Sequence, residues 1–168
     1  MVQCVSILTP SDGKATTHKF RHSSFNKYSK FFPQRRLCDI SWPRIMELFQ
    51  QRIDRLVAED PENPRKNPLF VVMEAAILIE AGWVGGVDEV WVVVTDPEVA
   101  CQRLMARNSL SRDEALRRIG AQMSNEEKAK YARVVIHNDA NLPTVEAAMA
   151  LLESQVRAEW DALLDRTK

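Results

Sequence analysis

Three short, unbroken apolar runs constrain the fold of this chain more than any other feature of its sequence. They cover residues 69–73, 90–94 and 134–136, and segments with helical periodicity lie between and after them. Strands that are apolar at every position, rather than at every second one, are typical of a parallel sheet covered by helices on both faces. The pattern therefore predicts an α/β fold built on a right-handed parallel sheet.

Start and stop signals divide the rest of the chain into helices and loops. Ser41 is a good N-cap, and with Pro43 in the first turn it predicts a helix that ends near Asp60. Three prolines within residues 60–68 predict a surface loop, because proline cannot continue a helix or join a central strand. Further helices are predicted over residues 97–107, 111–122, 124–130 and 144–164. The last is expected to bury one stripe, which consists of Val145, Ala148, Met149, Leu152, Val156 and Trp160.

Composition excludes several classes of protein. The formal net charge is +0, so bulk electrostatics give no reason to expect a nucleic acid or a membrane surface as partner. No stretch is apolar for long enough to predict a membrane span. Three cysteines without metal-ligand spacing indicate reduced intracellular thiols and predict no metal site. We expect a cytoplasmic protein, and the basic, acid-poor segment 14–36 leaves a mitochondrial location as the alternative.

Ligands of parallel α/β sheets bind beyond the carboxyl ends of the strands, which directs attention to three places. Glu74 follows the first apolar run, Asp96 the second, and Asn138 with Asp139 the third. Glu74 is either a carboxylate that orients a magnesium-bound water or accepts a proton, or an ordinary first-turn acid of a helix. Glu80 is either a solvent-facing helix residue or a substrate contact. The residue types leave these alternatives open.

A basic cluster follows the second run. Arginine clusters favour polyphosphate, because the guanidinium group binds oxyanions bidentately and keeps its charge. The alternative is a solvated helical face that nearby acids neutralise, and residue types alone do not decide between the two. The basic residues are Arg103, Arg107, Arg112, Arg117, Arg118, Lys128, Lys130 and Arg133, and the acids are Asp113, Glu114, Glu126 and Glu127.

Several short motifs in a fixed order resemble the dephospho-CoA kinase family. They are EAAILIEAGW at 74–83, VDEVW at 87–91, QRLMAR at 102–107, RIGAQM at 118–123 and RVVIHND at 133–139. With Trp42 and Pro43, the chain is also similar to the kinase half of eukaryotic bifunctional CoA synthases. The resemblance covers residues 10 to 160 and implies a P-loop-kinase-like, three-layer parallel sheet flanked by helices.

The resemblance also implies an activity and a set of site residues. Such kinases use ATP and Mg²⁺ to phosphorylate the ribose 3′-hydroxyl of dephospho-CoA in coenzyme A biosynthesis. Carried over to this chain, the catalytic residues are Arg107 and Arg118, as lid arginines near the ATP phosphates, and Glu74, which stands where Asp is usual. The substrate-binding residues are Leu78, Glu80 and Gln122, and the residues near the adenine are Asn138 and Asp139.

The family's phosphate loop has no counterpart in this sequence. GxxxxGK[ST] is not found, and Gly13–Lys14–Ala15 lacks the hydroxyl that would hold magnesium. The sequence therefore predicts a fold without the first strand, the phosphate loop and the second strand, so that the chain begins about sixty to seventy residues into a family member. Residues 1–40 are expected to be irregular or helical, and residues 41–168 to form the kinase-like domain with a lid over about 103–131.

Two interpretations follow from the missing loop. The chain is a kinase fragment that is inactive on its own, or a non-catalytic CoA-binding or regulatory subunit that retains the lid and acceptor half. A different small-molecule kinase of the same fold is a third interpretation. Loss of a central strand exposes strand edges, which predicts a marginally stable or self-associating chain.

Overall fold

The computed structural model describes residues 4–8, 35–59, 70–139, 142 and 144–167. The strands are β1 (Cys4–Leu8), β2 (Val71–Ala75), β3 (Glu89–Val94) and β4 (Val134–His137). The helices are α1 (Arg35–Glu59), α2 (Pro97–Asn108), α3 (Arg112–Gly120), α4 (Asn125–Ala129) and α5 (Val145–Arg166), with a short 3₁₀ helix at Trp83–Gly86. These elements confirm the α/β class. The loop predicted over 60–68 lies outside the described residues.

The chain divides into two compact units. One is Ser6–Glu89, called here the N-terminal unit, and the other is Val90–Lys168 together with Met1–Val5, called here the C-terminal unit. The strand β1 lies within residues 1–40, where the sequence predicts an irregular or helical segment.

The sheet of the C-terminal unit confirms parallel pairing. β3 and β4 run parallel, with Trp91 opposite Val134 and Val94 opposite His137. β4 is the last strand in the order of the sheet. β3 is largely buried, as its continuous apolar run predicts. β4 instead alternates between buried and exposed residues, so the prediction that it is buried on both faces is wrong.

The helices of the C-terminal unit begin within one residue of their predicted starts. The Asp96 carboxylate accepts hydrogen bonds from the backbone N–H groups of residues 98 and 99, at 2.8 and 3.3 Å. Ser111 and Ser124 each form a reciprocal capping box with the glutamate three residues later, which satisfies N–H groups that a helix start leaves unpaired. Local sequence therefore fixes where α2, α3 and α4 begin.

The predicted buried stripe of α5 is only partly correct, because Ala148, Leu152 and Trp160 are half-buried and the other members are exposed. Val145, Met149 and Val156 are 74%, 58% and 42% exposed, whereas Leu163 near the end of the helix is buried. The side chain of Gln155 accepts a hydrogen bond from the backbone N–H of His137 and donates one to its carbonyl, both at 3.0 Å. The polar side chain of Gln155 therefore joins α5 to the backbone of the last β4 residue.

In the N-terminal unit, α1 begins at Arg35 and not at the predicted cap. The hydroxyl of Ser41 donates to the carbonyl of Leu37 at 2.8 Å, as a residue inside a helix does. Pro43 lies in the helix interior, where it removes one backbone hydrogen bond. The adjacent Trp42 packs edge to face on Trp83, with ring centroids 5.8 Å apart, and this contact stabilises the helix at that point.

β2 starts two residues later than the apolar run that predicted it. Met73 is buried, but Val72 is 53% exposed, so this strand is not covered on both faces either. A tight turn follows, in which the N–H of Trp83 donates to the carbonyl of Leu78 at 2.9 Å. Gly82 closes the turn with φ of 75°, a left-handed conformation that favours glycine.

Candidate functional site

The residues that follow β3 and β4 meet in the C-terminal unit. The Asp139 carboxylate accepts a hydrogen bond from the backbone N–H of Asp96 and lies 3.2 Å from Nδ1 of His137. The side chain of Asn125, at the start of α4, donates to the carbonyl of Thr95 at 2.8 Å. The expectation that the carboxyl ends of neighbouring parallel strands bring polar residues together is confirmed at this edge.

Asn138 is held by its backbone on both sides. Its N–H donates to the carbonyl of Val94 at 2.8 Å, and its carbonyl accepts from the guanidinium of Arg103 at 3.0 Å. The residue is half-buried. Its side-chain amide makes no hydrogen bond to any residue in the described part of the chain.

The arginines of α2 and α3 divide into two kinds. Arg112 makes a bidentate ion pair with Glu98, with both N–O distances 2.7 Å. The hydrogen bond from Arg112 lowers the pKa of Glu98, and the same contact raises the pKa of Arg112. Arg107 and Arg118 are exposed at the ends of their helices and make an ion pair with none of the described carboxylates. Arg107 donates instead to the side-chain oxygen of Asn108 at 3.0 Å.

The acids beside these arginines serve mainly as helix caps. The backbone hydrogen bond from Ser111 lowers the pKa of Glu114, and Glu114 also bonds the Ser111 hydroxyl. Glu127 bonds the backbone N–H of Ser124. These two carboxylates cap α3 and α4, and the charges of Arg117 and Arg118 also lower the pKa of Glu114.

Two further members of the predicted set differ in exposure. Lys128, at the end of α4, is 1% exposed and so is not part of the exposed basic surface. Gln122 is exposed just beyond α3, where its backbone N–H donates to the carbonyl of Ile119 at 3.1 Å. The predicted role of Gln122 in ligand binding stays a prediction.

The N-terminal unit contains the other predicted site residues. Glu74 is exposed within β2, not directly after it. Glu80 is only 6% exposed and lies in the turn after β2, so the interpretation as a solvent-facing helix residue is wrong. Leu78 is fully buried in the same turn. The predicted substrate contacts of these residues remain predictions.

The described residues form neither a cluster of metal-ligating side chains nor a membrane-spanning helix. Within those residues, no three His, Cys, Asp or Glu side chains are grouped so that they could hold a metal ion by themselves. None of the described helices is long and apolar enough to cross a membrane. Magnesium in nucleotide sites usually binds one or two carboxylates and the phosphates of the substrate, a mode for which the exposed carboxylate of Glu74 is chemically suited.

Together these features describe an α/β protein with arginine side chains available to an anionic ligand. The family model described as dephospho-CoA kinase matches residues 6–144, and the chain belongs to this family. The resemblance seen in the short motifs is thereby confirmed.

Curated relatives agree with this assignment. The chain is similar to the dephospho-CoA kinase of Carboxydothermus hydrogenoformans, with 35% identity over 92% of this chain and 70% of that protein. Identity to the enzyme of the same name from Geobacter sulfurreducens is 44%, over 63% of this chain and 50% of that protein. For Symbiobacterium thermophilum it is 46%, over 55% of this chain and 36% of that protein.

The chain therefore spans only part of these relatives, about a third to 70% of their lengths. No solved structure matches the chain.

Proposed function

We propose that this chain carries the lid and acceptor part of a dephospho-CoA kinase, which uses ATP to phosphorylate the ribose 3′-hydroxyl of dephospho-CoA. The observation that carries the proposal is the division among the arginines. Arg107 and Arg118 make no ion pair with a described carboxylate, while Arg112 is neutralised by Glu98. Family membership and the names of the relatives support the same activity.

The exposed arginines suit phosphoryl transfer. As the phosphoryl group moves, negative charge spreads over its oxygens, and positioned guanidinium groups stabilise that charge. In this proposal α2 and α3, within a lid over about 103–131, bring Arg107 and Arg118 to the ATP phosphates, and Gln122 supports that lid. Arg112 pairs with Glu98, so its charge is already compensated within the protein.

The remaining predicted residues take the other parts of the reaction. Leu78 and Glu80 shape the region that binds dephospho-CoA. Glu74 orients a magnesium-bound water or accepts the proton of the acceptor hydroxyl, and its exposed position in β2 leaves its carboxylate accessible. Asn138 and Asp139 lie near the adenine of ATP. Magnesium, when bound, neutralises part of the phosphate charge.

The phosphate loop is the part of such a kinase that this sequence does not contain. A phosphate loop holds ATP with its backbone amides and holds magnesium with a Ser or Thr hydroxyl. We infer that the chain by itself binds dephospho-CoA without turning it over. A non-catalytic CoA-binding or regulatory role is the alternative, and the absence of GxxxxGK[ST] is the observation that favours it.

Two measurements test the proposal. Purified chain is incubated with ATP, Mg²⁺ and dephospho-CoA, while the 3′-phosphorylated product is quantified and dephospho-CoA binding is measured by calorimetry. We expect binding and no product, and robust product formation by this chain alone would end both the inactive-fragment and the non-catalytic interpretations. Failure to bind dephospho-CoA would count against the kinase assignment itself.

The genomic sequence upstream of Met1 then separates the two interpretations. An in-frame GxxxxGK[ST] would identify a kinase whose phosphate loop lies outside this chain. A stop codon with no such motif nearby would favour the non-catalytic subunit.

A further inference from the structure

The loop after β4 is tied to three separate parts of the C-terminal unit. The N–H of Asn138 bonds to β3 through the carbonyl of Val94, and the carboxylate of Asp139 bonds to the turn before α2 through the N–H of Asp96. The third tie comes from α2, where Arg103 donates to the carbonyl of Asn138 at 3.0 Å. Of the three, only this tie is supplied by a long, exposed side chain.

We propose that Arg103 is a positioning residue for a nucleobase, acting through Asn138. By holding the Asn138 carbonyl, it fixes the orientation in which the Asn138 side-chain amide offers one donor and one acceptor to a ligand. An amide of this kind pairs with the edge of a base, and adenine presents a matching acceptor and donor. The proposal rests on the proposed function, because that function supplies the nucleotide.

The geometry separates Arg103 from the phosphate-binding arginines. Arg103 and Arg107 are one turn apart on α2, where like charges repel. The guanidinium of Arg103 donates to a backbone carbonyl 35 residues away in sequence, so part of its donor capacity is used within the protein. Arg107 makes no such long-range contact within the described residues. Arg103 should therefore influence binding of the base, and Arg107 binding of the phosphates.

The experiment compares two ligands that share phosphate chemistry and differ in the base. Binding of ADP and of pyrophosphate to the full chain is measured by calorimetry for the wild type, Arg103→Gln and Arg103→Lys. We expect Arg103→Gln to weaken ADP binding about tenfold, which corresponds to about 1.4 kcal/mol, and to leave pyrophosphate binding nearly unchanged. Arg103→Lys keeps a donor and should restore part of the ADP affinity.

The control is Arg157→Gln, which removes the same charge. Arg157 lies on α5 and pairs with Glu153 one turn away, with 72% of its side chain exposed. We expect this variant to bind both ligands as the wild type does. In an Asn138→Ala background, Arg103→Gln should cause no further loss of ADP affinity, because the residue it acts through is gone.

Three results would overturn the proposal. One is an equal loss of ADP and pyrophosphate binding in Arg103→Gln, which would make Arg103 a direct phosphate contact. The others are an unchanged affinity for ADP and an additive effect in the Asn138→Ala background.

Amide hydrogen exchange separates this inference from the proposed function. Without ligand, Arg103→Gln should speed exchange of the Asn138 N–H, which bonds to Val94. If the wild-type chain binds dephospho-CoA but neither ADP nor pyrophosphate, the proposed function stands and the nucleobase role of Arg103 is overturned. The exchange rate still decides whether Arg103 positions the loop, and an unchanged rate would overturn that role.

Discussion

At the scale of single residues, the carboxylates around α2 and α3 differ in which group each of them already binds. Glu114 and Glu127 are used at helix starts, and Glu98 is used by Arg112. Charge counting along the sequence treats these acids as equivalent to any others, which is why residue types alone could not decide between a neutralised helical face and a phosphate site. The hydrogen bonds of the described residues show which acids are already engaged and so support the proposed phosphate site.

The first prediction concerns the exposed arginines. Arg107→Gln and Arg118→Gln should each weaken binding of tripolyphosphate about tenfold, because each removes a charged donor that makes no ion pair with a described carboxylate. Calorimetry at fixed ionic strength measures the effect. Arg112→Gln is the matched control and should change affinity by less than about twofold, since its charge is already neutralised by Glu98. Equal losses in all three variants would contradict this division.

A second prediction concerns acid. The pKa of Glu98 is lowered in the folded chain, chiefly by the hydrogen bond from Arg112, relative to the ordinary value of 4.5. A lowered pKa stabilises the fold above the unfolded value, and this contribution is lost as the pH falls through the lower folded value. Thermal melts from about pH 7 to about pH 3 should therefore show a shallower acid loss for Glu98→Gln than for the wild type.

Arg112→Gln provides the cross-check for this second prediction. It removes the partner and leaves the carboxyl group in place, so it should flatten the acid profile in the same way. A wild-type slope in both variants would show that the ion pair does not form in solution.

At the scale of elements, the helices whose starts were predicted correctly are those with a local cap. Asp96, Ser111 and Ser124 each bond to backbone N–H groups within three residues, so the signal and its effect lie together in the sequence. α1 has its apparent cap, Ser41, inside the helix, and the tertiary contact between Trp42 and Trp83 supports the proline that follows. No local pattern reveals such a contact.

A third prediction tests the caps. Ser111→Ala and Ser124→Ala should each lower the free energy of unfolding by about 1 kcal/mol, because each leaves a backbone N–H at a helix start without its acceptor. Urea denaturation followed by circular dichroism measures the change. Ser154→Ala is the control, since Ser154 lies within α5 and bonds only to the carbonyl of Leu151. A loss of similar size in this control would show that the effect is not one of capping.

A fourth prediction concerns the contact between α5 and β4. Gln155→Ala should lower the free energy of unfolding by about 1–3 kcal/mol, because both backbone groups of His137 lose their partner. Gln51→Ala is the matched control, because Gln51 on α1 makes a single exposed hydrogen bond to Glu47. We expect that variant to stay within about 0.5 kcal/mol of the wild type in the same denaturation experiment. Equal effects would contradict the proposed role of Gln155.

At the scale of the whole molecule, the sequence predicted which polar residues meet at the strand ends, but not the side-chain contacts that hold them there. Topology alone placed Asp96 and Asp139 at the same edge, and the structure confirms it. The pairs Arg103 with Asn138 and Arg112 with Glu98 were not predicted. They join residues 35 and 14 positions apart, so they depend on how the chain turns between elements. One such turn contains Ser109 at φ of 51°, between α2 and α3.

A fifth prediction concerns self-association, which we propose on the basis of strand edges. β4 is the last strand in the order of the sheet, so its outer edge is the one that we expect a second copy to pair with. Thermal melting at several protein concentrations should give a midpoint that rises with concentration. A sharp, concentration-independent melt of a species that sedimentation shows to be monomeric would contradict this proposal.

The two hydrogen bonds of Gln155 also limit how a peptide could add a strand to this sheet, the binding mode called β-augmentation. Such a peptide pairs with the outward N–H and carbonyl groups of an edge strand. At His137 both groups are already bonded to Gln155, so an added strand must end before that residue. The Asn138–Asp139 loop, which we propose to bind the nucleotide, therefore lies beyond the end of such an added strand.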